Sequence, residues 1–120
     1  MAAARMAAGK ARCEGKVLMP SFEFNFEWDP AKAATNFQKH GVSFEHAATV
    51  FQDTKALSLF DEKHSDIEER WITLGLDNQG QLLVVCHTWR ESQDGEASCR
   101  LISVRRAGRK EAAQYYKRET

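Results

Sequence analysis

Long apolar runs are missing from this chain. None of its 120 residues belongs to a stretch near the ~18 apolar residues that a membrane-spanning helix needs. Proline is scarce, at two, and glycine stands at seven, which excludes collagen-like and Pro/Gly-rich low-complexity chains. There are three cysteines, an odd number, and no C-x-x-C pair, so no disulfide framework is expected and the setting reads as reducing and cytoplasmic. Gly75, Gly80 and Gly95 stand alone, so no loop cradles a phosphate. His40, His46, His64 and His87 have no zinc-like spacing. No metal and no other cofactor is expected.

What remains is 42% hydrophobic and 28% charged, the composition of one globular domain large enough to fold around its own core. The net charge of zero conceals three blocks. Residues 1–21 sum to +3, residues 22–96 to −8, and residues 97–120 to +5. A basic C-terminal fifth on an acidic body fits either a phosphate or acidic-partner site, or a solvated terminal helix.

The first residues, MAAARMAAGKARCEGKVL, are Ala-rich and basic without sustained periodicity. Lys10 and Arg12 interrupt any secretory h-region. Residues 1–20 are expected to be a disordered or mis-assigned extension, and residues 21–120 a single domain. Met19 is a second plausible start, because the codons of Glu14-Gly15 are purine-rich in the manner of a bacterial ribosome-recruiting stretch.

Ser21 to Trp28 alternates Phe22, Phe24, Phe26 and Trp28 with polar residues, which predicts a half-buried strand. Asp29-Pro30 predicts a capped helix to about Lys39, with Ala33, Ala34 and Phe37 as its buried face and His40-Gly41 at its end. Ser43 caps a second helix whose apolar face is Phe44, Ala47, Ala48 and Phe51. Strands are predicted near 56–60, 70–76, 82–89 and 97–106, and a helix from about Gly108. The order β-αα-ββββ-α predicts an α+β fold. Its expected form is an antiparallel sheet of about four strands, two N-terminal helices and a C-terminal helix.

Cys86 and Cys99 fall inside predicted strands, where cysteine behaves as a small hydrophobe. The segment Arg100 to Arg106 interleaves an apolar strand with three guanidiniums, and Arg109, Lys110, Glu111 and Tyr115 follow on the helix. Arg can grip phosphate oxygens in bidentate fashion, while Glu and Tyr can move protons. The same residues could also salt-bridge a helix to the acidic body. His40 suits proton transfer near neutral pH, and equally suits capping a helix C-terminus.

The segments FEWDPAKAATNFQKHGVSFEHAATVFQD (24–53), EERWITLG (68–75), LLVVCHT (82–88) and RLISVRRAGRKEAAQYY (100–116) together resemble the BrnT family of bacterial type II toxins. The motif W-D-P-x-K-x-x-x-N-x-x-K-H-G-V-S-F-E carries most of the resemblance, which spans residues 22–118. It implies a RelE-like fold and metal-independent RNA cleavage that arrests translation. It also implies neutralisation by a BrnA-like ribbon-helix-helix antitoxin in a heterotetramer, in which only the antitoxin contacts operator DNA. The family pattern falls on Lys32, Asn36, Lys39, His40, Arg70, Thr88, Arg100, Ser103, Arg105, Arg106, Glu111 and Tyr115. Gly108 departs from it, standing where Thr or Ser usually caps the helix.

The chemistry so implied is in-line attack of the 2′-hydroxyl on its own phosphodiester, which breaks the P–O5′ bond and leaves a 2′,3′-cyclic phosphate and a 5′-hydroxyl. The catalytic candidates are His40, Arg70, Arg105, Arg106, Glu111 and Tyr115. Arg70 with Arg105 or Arg106 would hold the phosphate. His40 or Glu111 would act as base, and His40 or Tyr115 as acid. Lys32, Lys39, Thr88, Arg100, Ser103 and Arg109 are RNA-binding candidates. The rival expectation is a non-catalytic module whose basic tail docks an antitoxin and serves as co-repressor.

Overall fold

The computed structural model describes residues 2–7, 10–18, 23–64, 68–91 and 96–117. Met19, Ser21 and Phe22, and most of the loop expected at 91–95, lie outside the described residues. Among the described residues eight strands run in chain order: β1 (Ala2–Ala7), β2 (Lys10–Leu18), β3 (Glu23–Trp28), β4 (Leu57–Phe60), β5 (Arg70–Leu76), β6 (Leu82–Thr88), β7 (Arg90–Glu91) and β8 (Glu96–Arg106). The helices are α1 (Pro30–His40), α2 (Phe44–Thr49) and α3 (Arg109–Lys117).

The sheet order is β1-β2-β3-β8-β6-β5-β4, with β7 against β8. The meander β4-β5-β6-β8 is antiparallel throughout, as alternating short connections require. The α+β class is thereby met, but the expected four-stranded antiparallel sheet needs correction. β3 lies parallel to β8, giving a mixed sheet with five strands at its centre. The reason is the crossover: β3 precedes α1 and α2, and the chain returns beside it only after four other strands, β4 to β7. The backbone of β1 and β2 pairs as a hairpin along β3, a segment for which no regular structure was expected.

Local signals act as their chemistry dictates. Asp29 Oδ1 accepts the Ala31 N–H at 2.9 Å, and Ser43 Oγ accepts the His46 N–H at 3.1 Å. Gly41 closes α1 at φ +70°, where an L side chain would be strained.

Two cores lie on opposite faces of the sheet. One packs Phe26, Trp28, Leu83, Val85, Leu101 and Val104 against Val42, Phe44, Ala47 and Phe51 from the α2 side. The other packs Leu74 and Val84, with Ile72, Leu76 and Leu82 at its margin, under Tyr115 of α3. β6 serves both, which explains its nearly unbroken apolar run.

The buried face expected for α1 is met only at Ala33, which packs against the core, while Ala34 is exposed. Phe37 is 55% exposed, and Asn36 turns inward at 7%. β3 pairs with β8 only as far as Arg100, so Val104 has no strand on that side. Asn36 takes the strand's place: its Nδ2 donates to Val104 O at 2.9 Å and its Oδ1 accepts the Val104 N–H at 3.1 Å. An apolar periodicity cannot register a helix held by amide bonds to a sheet edge.

Candidate functional site

That mode of docking opens a groove between α1 and β8. Its volume is about 580 Å³, and Lys32, Lys39, His40, Ser103 and Arg105 line it beside Asn36. Lys32 and Lys39 come from α1, seven residues apart and hence two helical turns along one side. Ser103 and Arg105 come from β8, two residues apart and hence on one face of the strand. Five residues that sequence reading marked separately are thus brought together.

Glu111 joins them from α3. Its Oε1 and Oε2 accept Arg105 Nη1 and Nη2 at 2.9 and 2.7 Å, a fork-to-fork pair. Oε1 also accepts the Gly108 N–H at 2.7 Å, the reciprocal half of a capping box in which Gly108 supplies no side chain. The Arg105 hydrogen bonds, against partial burial and aided by the Gly108 N–H, hold the Glu111 carboxyl down at about 2. It is therefore ionised at neutral pH. Glu111 occupies one edge of the Arg105 guanidinium, and the Nε/Nη2 edge remains for a second bidentate acceptor.

A second basic cluster lies farther along the same face. Arg70 pairs with Thr88 across β5 and β6, and the Arg100 N–H donates to Thr88 Oγ1 at 3.0 Å. Glu68 bridges the two guanidiniums, contacting Arg100 Nη2 and lying 3.7 Å from Arg70 Nη2. Thr88, Arg100 and Glu68 share a cleft of about 610 Å³ with Glu27 and Glu69. The acidic lining makes this cleft a poorer host for a polyanion than the α1–β8 groove.

Two catalytic candidates stand apart. Arg106 Nη1 donates to the His40 backbone carbonyl at 2.9 Å, so its guanidinium caps the negative end of α1. Tyr115 is 1% exposed, and its hydroxyl donates to Asp53 Oδ2 at 2.5 Å. Arg109 is exposed at the start of α3. Sequence reading missed Asp53, whose role depends on a contact 62 residues distant.

The buried thiol and imidazole also have settled partners. His87 Nδ1 donates to Thr88 O at 2.8 Å, and Nε2 accepts from Thr73 Oγ1 at 2.6 Å. Burial pushes the Cys99 thiol far above its ordinary range, so no thiolate forms there. Among the described residues no group of three or more His, Cys, Asp or Glu side chains gathers to hold a metal ion. Nor, among them, is any helix long and apolar enough to cross a membrane.

A family model described as "Ribonuclease toxin, BrnT, of type II toxin-antitoxin system" matches residues 28–111. The match takes in α1, the meander, and α3 as far as Glu111. No curated protein matches the chain.

Proposed function

This chain belongs to the BrnT family of ribonuclease toxins of type II toxin-antitoxin systems, and from that premise we propose that the α1–β8 groove is where it cleaves RNA, by a metal-independent transesterification. The carrying observation is Arg105, aimed into a groove with two lysines and a histidine while Glu111 holds it by one edge only. A phosphodiester would take the Nε/Nη2 edge of Arg105, and Lys32 and Lys39 would meet the flanking phosphates. Charge preorganised in this way stabilises the phosphorane-like state without reorganisation at the moment of reaction.

Proton transfer falls to His40, whose imidazole would take the 2′ proton and give a proton to the departing 5′ oxygen as the P–O5′ bond breaks. A carboxylate held at about 2 is too weak a base to be matched to neutral pH, so Glu111 positions Arg105 and does not take the 2′ proton. The hydroxyl of Tyr115 is engaged by Asp53, which leaves imidazole as the group in the groove suited to transfer near neutral pH. Ser103, which lines the same groove, would donate to a non-bridging oxygen. Arg70 and Arg100, fixed by Glu68, would extend the track for the RNA backbone along the same face. The antitoxin expected for such a toxin is a BrnA-like ribbon-helix-helix protein, which would hold operator DNA in a complex with this chain.

The test is cleavage of an end-labelled RNA by the purified full chain in EDTA. Cleavage with 2′,3′-cyclic phosphate ends is expected, with loss in Arg105→Ala and no attack on DNA of the same sequence. DNA cut as fast as RNA would overturn the 2′-hydroxyl mechanism. Absence of cleavage both on free RNA and with translating ribosomes would favour a co-repressor without catalysis.

A further inference from the structure

We propose that this chain forms a two-fold dimer in which β4 pairs antiparallel with β4 of a second copy, each copy placing Phe60 in a pocket of the other. β4 ends the sheet, and among the described residues no strand pairs with its outer edge. Edges of this kind are usually blunted by lysine, proline or a bulge. Leu57–Phe60 reads Leu-Ser-Leu-Phe and has none of these. Leu59 and Phe60, two large apolar side chains, stand 66% and 41% exposed on it.

The backbone restricts how a second copy can pair. The Asp61 N–H donates to Arg70 O at 2.8 Å, so odd-numbered residues turn their backbone groups toward β5. Ser58 and Phe60 therefore present theirs outward. Opposite residues in an antiparallel pair share a face, so even residues must meet even ones. With Ser58 opposite Ser58 of the second copy, Phe60 falls opposite Ala56 and Leu59 opposite Leu57. The Phe60 N–H then meets the Ala56 carbonyl, while the Ala56 N–H keeps its own bond to Asp53 O.

Charge selects this register. It sets Lys55 against Asp61 of the second copy at both ends. A shift by two in one direction would set Lys55 against Lys63, and in the other Asp53 against Asp61. Like charges directly opposite are destabilising.

The pocket completes the fit. Phe51, Ala56, Ser58, Trp71, Thr73 and His87 line a cavity of about 290 Å³ on the face that Ala56 shares with Phe60. Its hydroxyls satisfy one another, Ser58 Oγ lying 2.7 Å from Thr73 Oγ1 and the latter 2.6 Å from His87 Nε2. The walls offered to an entering ring are consequently apolar. The two-fold axis stands perpendicular to the sheet, so both Arg105 grooves face the same way at the two ends of one continuous sheet.

Sedimentation equilibrium on the full chain, up to about 100 µM, tests the pairing. A concentration-dependent dimer is expected, weakened at least about tenfold by Phe60→Ser. Lys55→Glu should weaken it too, and the double variant Lys55→Glu/Asp61→Lys should restore it. Ser58→Cys should give a disulfide-linked dimer under mild oxidation that the wild type does not, since hydrogen-bonded opposite residues lie about 5.5 Å apart at Cα. Circular dichroism confirms that each variant is folded. A monomer at the highest concentration would overturn the proposal. So would a dimer indifferent to Phe60→Ser with no Ser58→Cys cross-link.

Discussion

The Tyr115 hydroxyl donates to Asp53 Oδ2 at 2.5 Å, tying α3 to the turn that follows α2. Burial opposes ionisation of Asp53, but the Leu76 N–H, Tyr115 and the Lys55 N–H outweigh it and hold the carboxyl below its ordinary range. Tyr115 is thus a fastener between the sheet's second core and its edge. Tyr115→Phe should cost about 1.5–3 kcal/mol in urea unfolding, the range for a hydrogen bond to a charged group. RNA cleavage at saturating substrate should stay within a few-fold of wild type. A hundredfold loss of kcat in a folded variant would place the hydroxyl in the chemistry.

Asn36 closes the β8 edge with both ends of its amide, and its Nδ2 also lies 3.4 Å from Val42 O. Asn36→Ala orphans a buried N–H and a buried carbonyl on Val104, each worth about 1–3 kcal/mol. Asn36→Asp should be worse, because a carboxylate would face two carbonyls. Thermal unfolding should rank wild type above Asn36→Ala, and that above Asn36→Asp. An unchanged midpoint for Asn36→Asp would show that the amide is not what holds α1 on the sheet.

These two residues also mark what the sequence made legible. Caps, turns and strand alternation depend on neighbours within a few positions, and Asp29, Ser43 and Gly41 act as their types predict. Lys32, Lys39, His40, Ser103 and Arg105 are each marked by the motif resemblance, but their grouping in one groove comes from the docking of α1 on β8. Asn36 facing inward, Arg106 capping α1, Tyr115 bonding Asp53 and β3 lying parallel to β8 all depend on partners 62 or more residues away. No local period encodes them.

Arg105 and Glu111 make a pH signature at the acid end. A folded carboxyl at about 2, against the ordinary 4.5, adds stability above the unfolded value and loses it as pH falls toward 2. The pair is partly solvated, so its contribution is modest. Glu111→Gln should therefore be less stable than wild type at pH 7, with the gap closing between about pH 4.5 and 2. At pH 7 the same variant should retain RNA binding but lower kcat, because Arg105 loses its aim. A gap that stays constant across that window would show that the carboxylate charge is not what stabilises the helix start.

His87 should write a separate signature in a higher window. Its ring is buried edge-on against Phe51, with a centroid separation of 4.8 Å, and it bonds the Thr88 carbonyl and the Thr73 hydroxyl. Burial lowers its proton affinity from the ordinary 6.5 to about 4, although the Thr88 carbonyl favours the charged form. The folded state thus keeps His87 neutral where the unfolded chain would protonate it. Between pH 6.5 and 4 the unfolded state binds more protons, and stability must fall as pH falls. The depression corresponds to a loss on the order of 3 kcal/mol across that window. Denaturant unfolding in steps from pH 7 to 4 should show this slope in wild type, and His87→Gln should flatten it. The slope due to Glu111 begins only near pH 4.5, so the two effects separate along the pH axis. A wild-type slope that survives His87→Gln unchanged would assign the titration to another group.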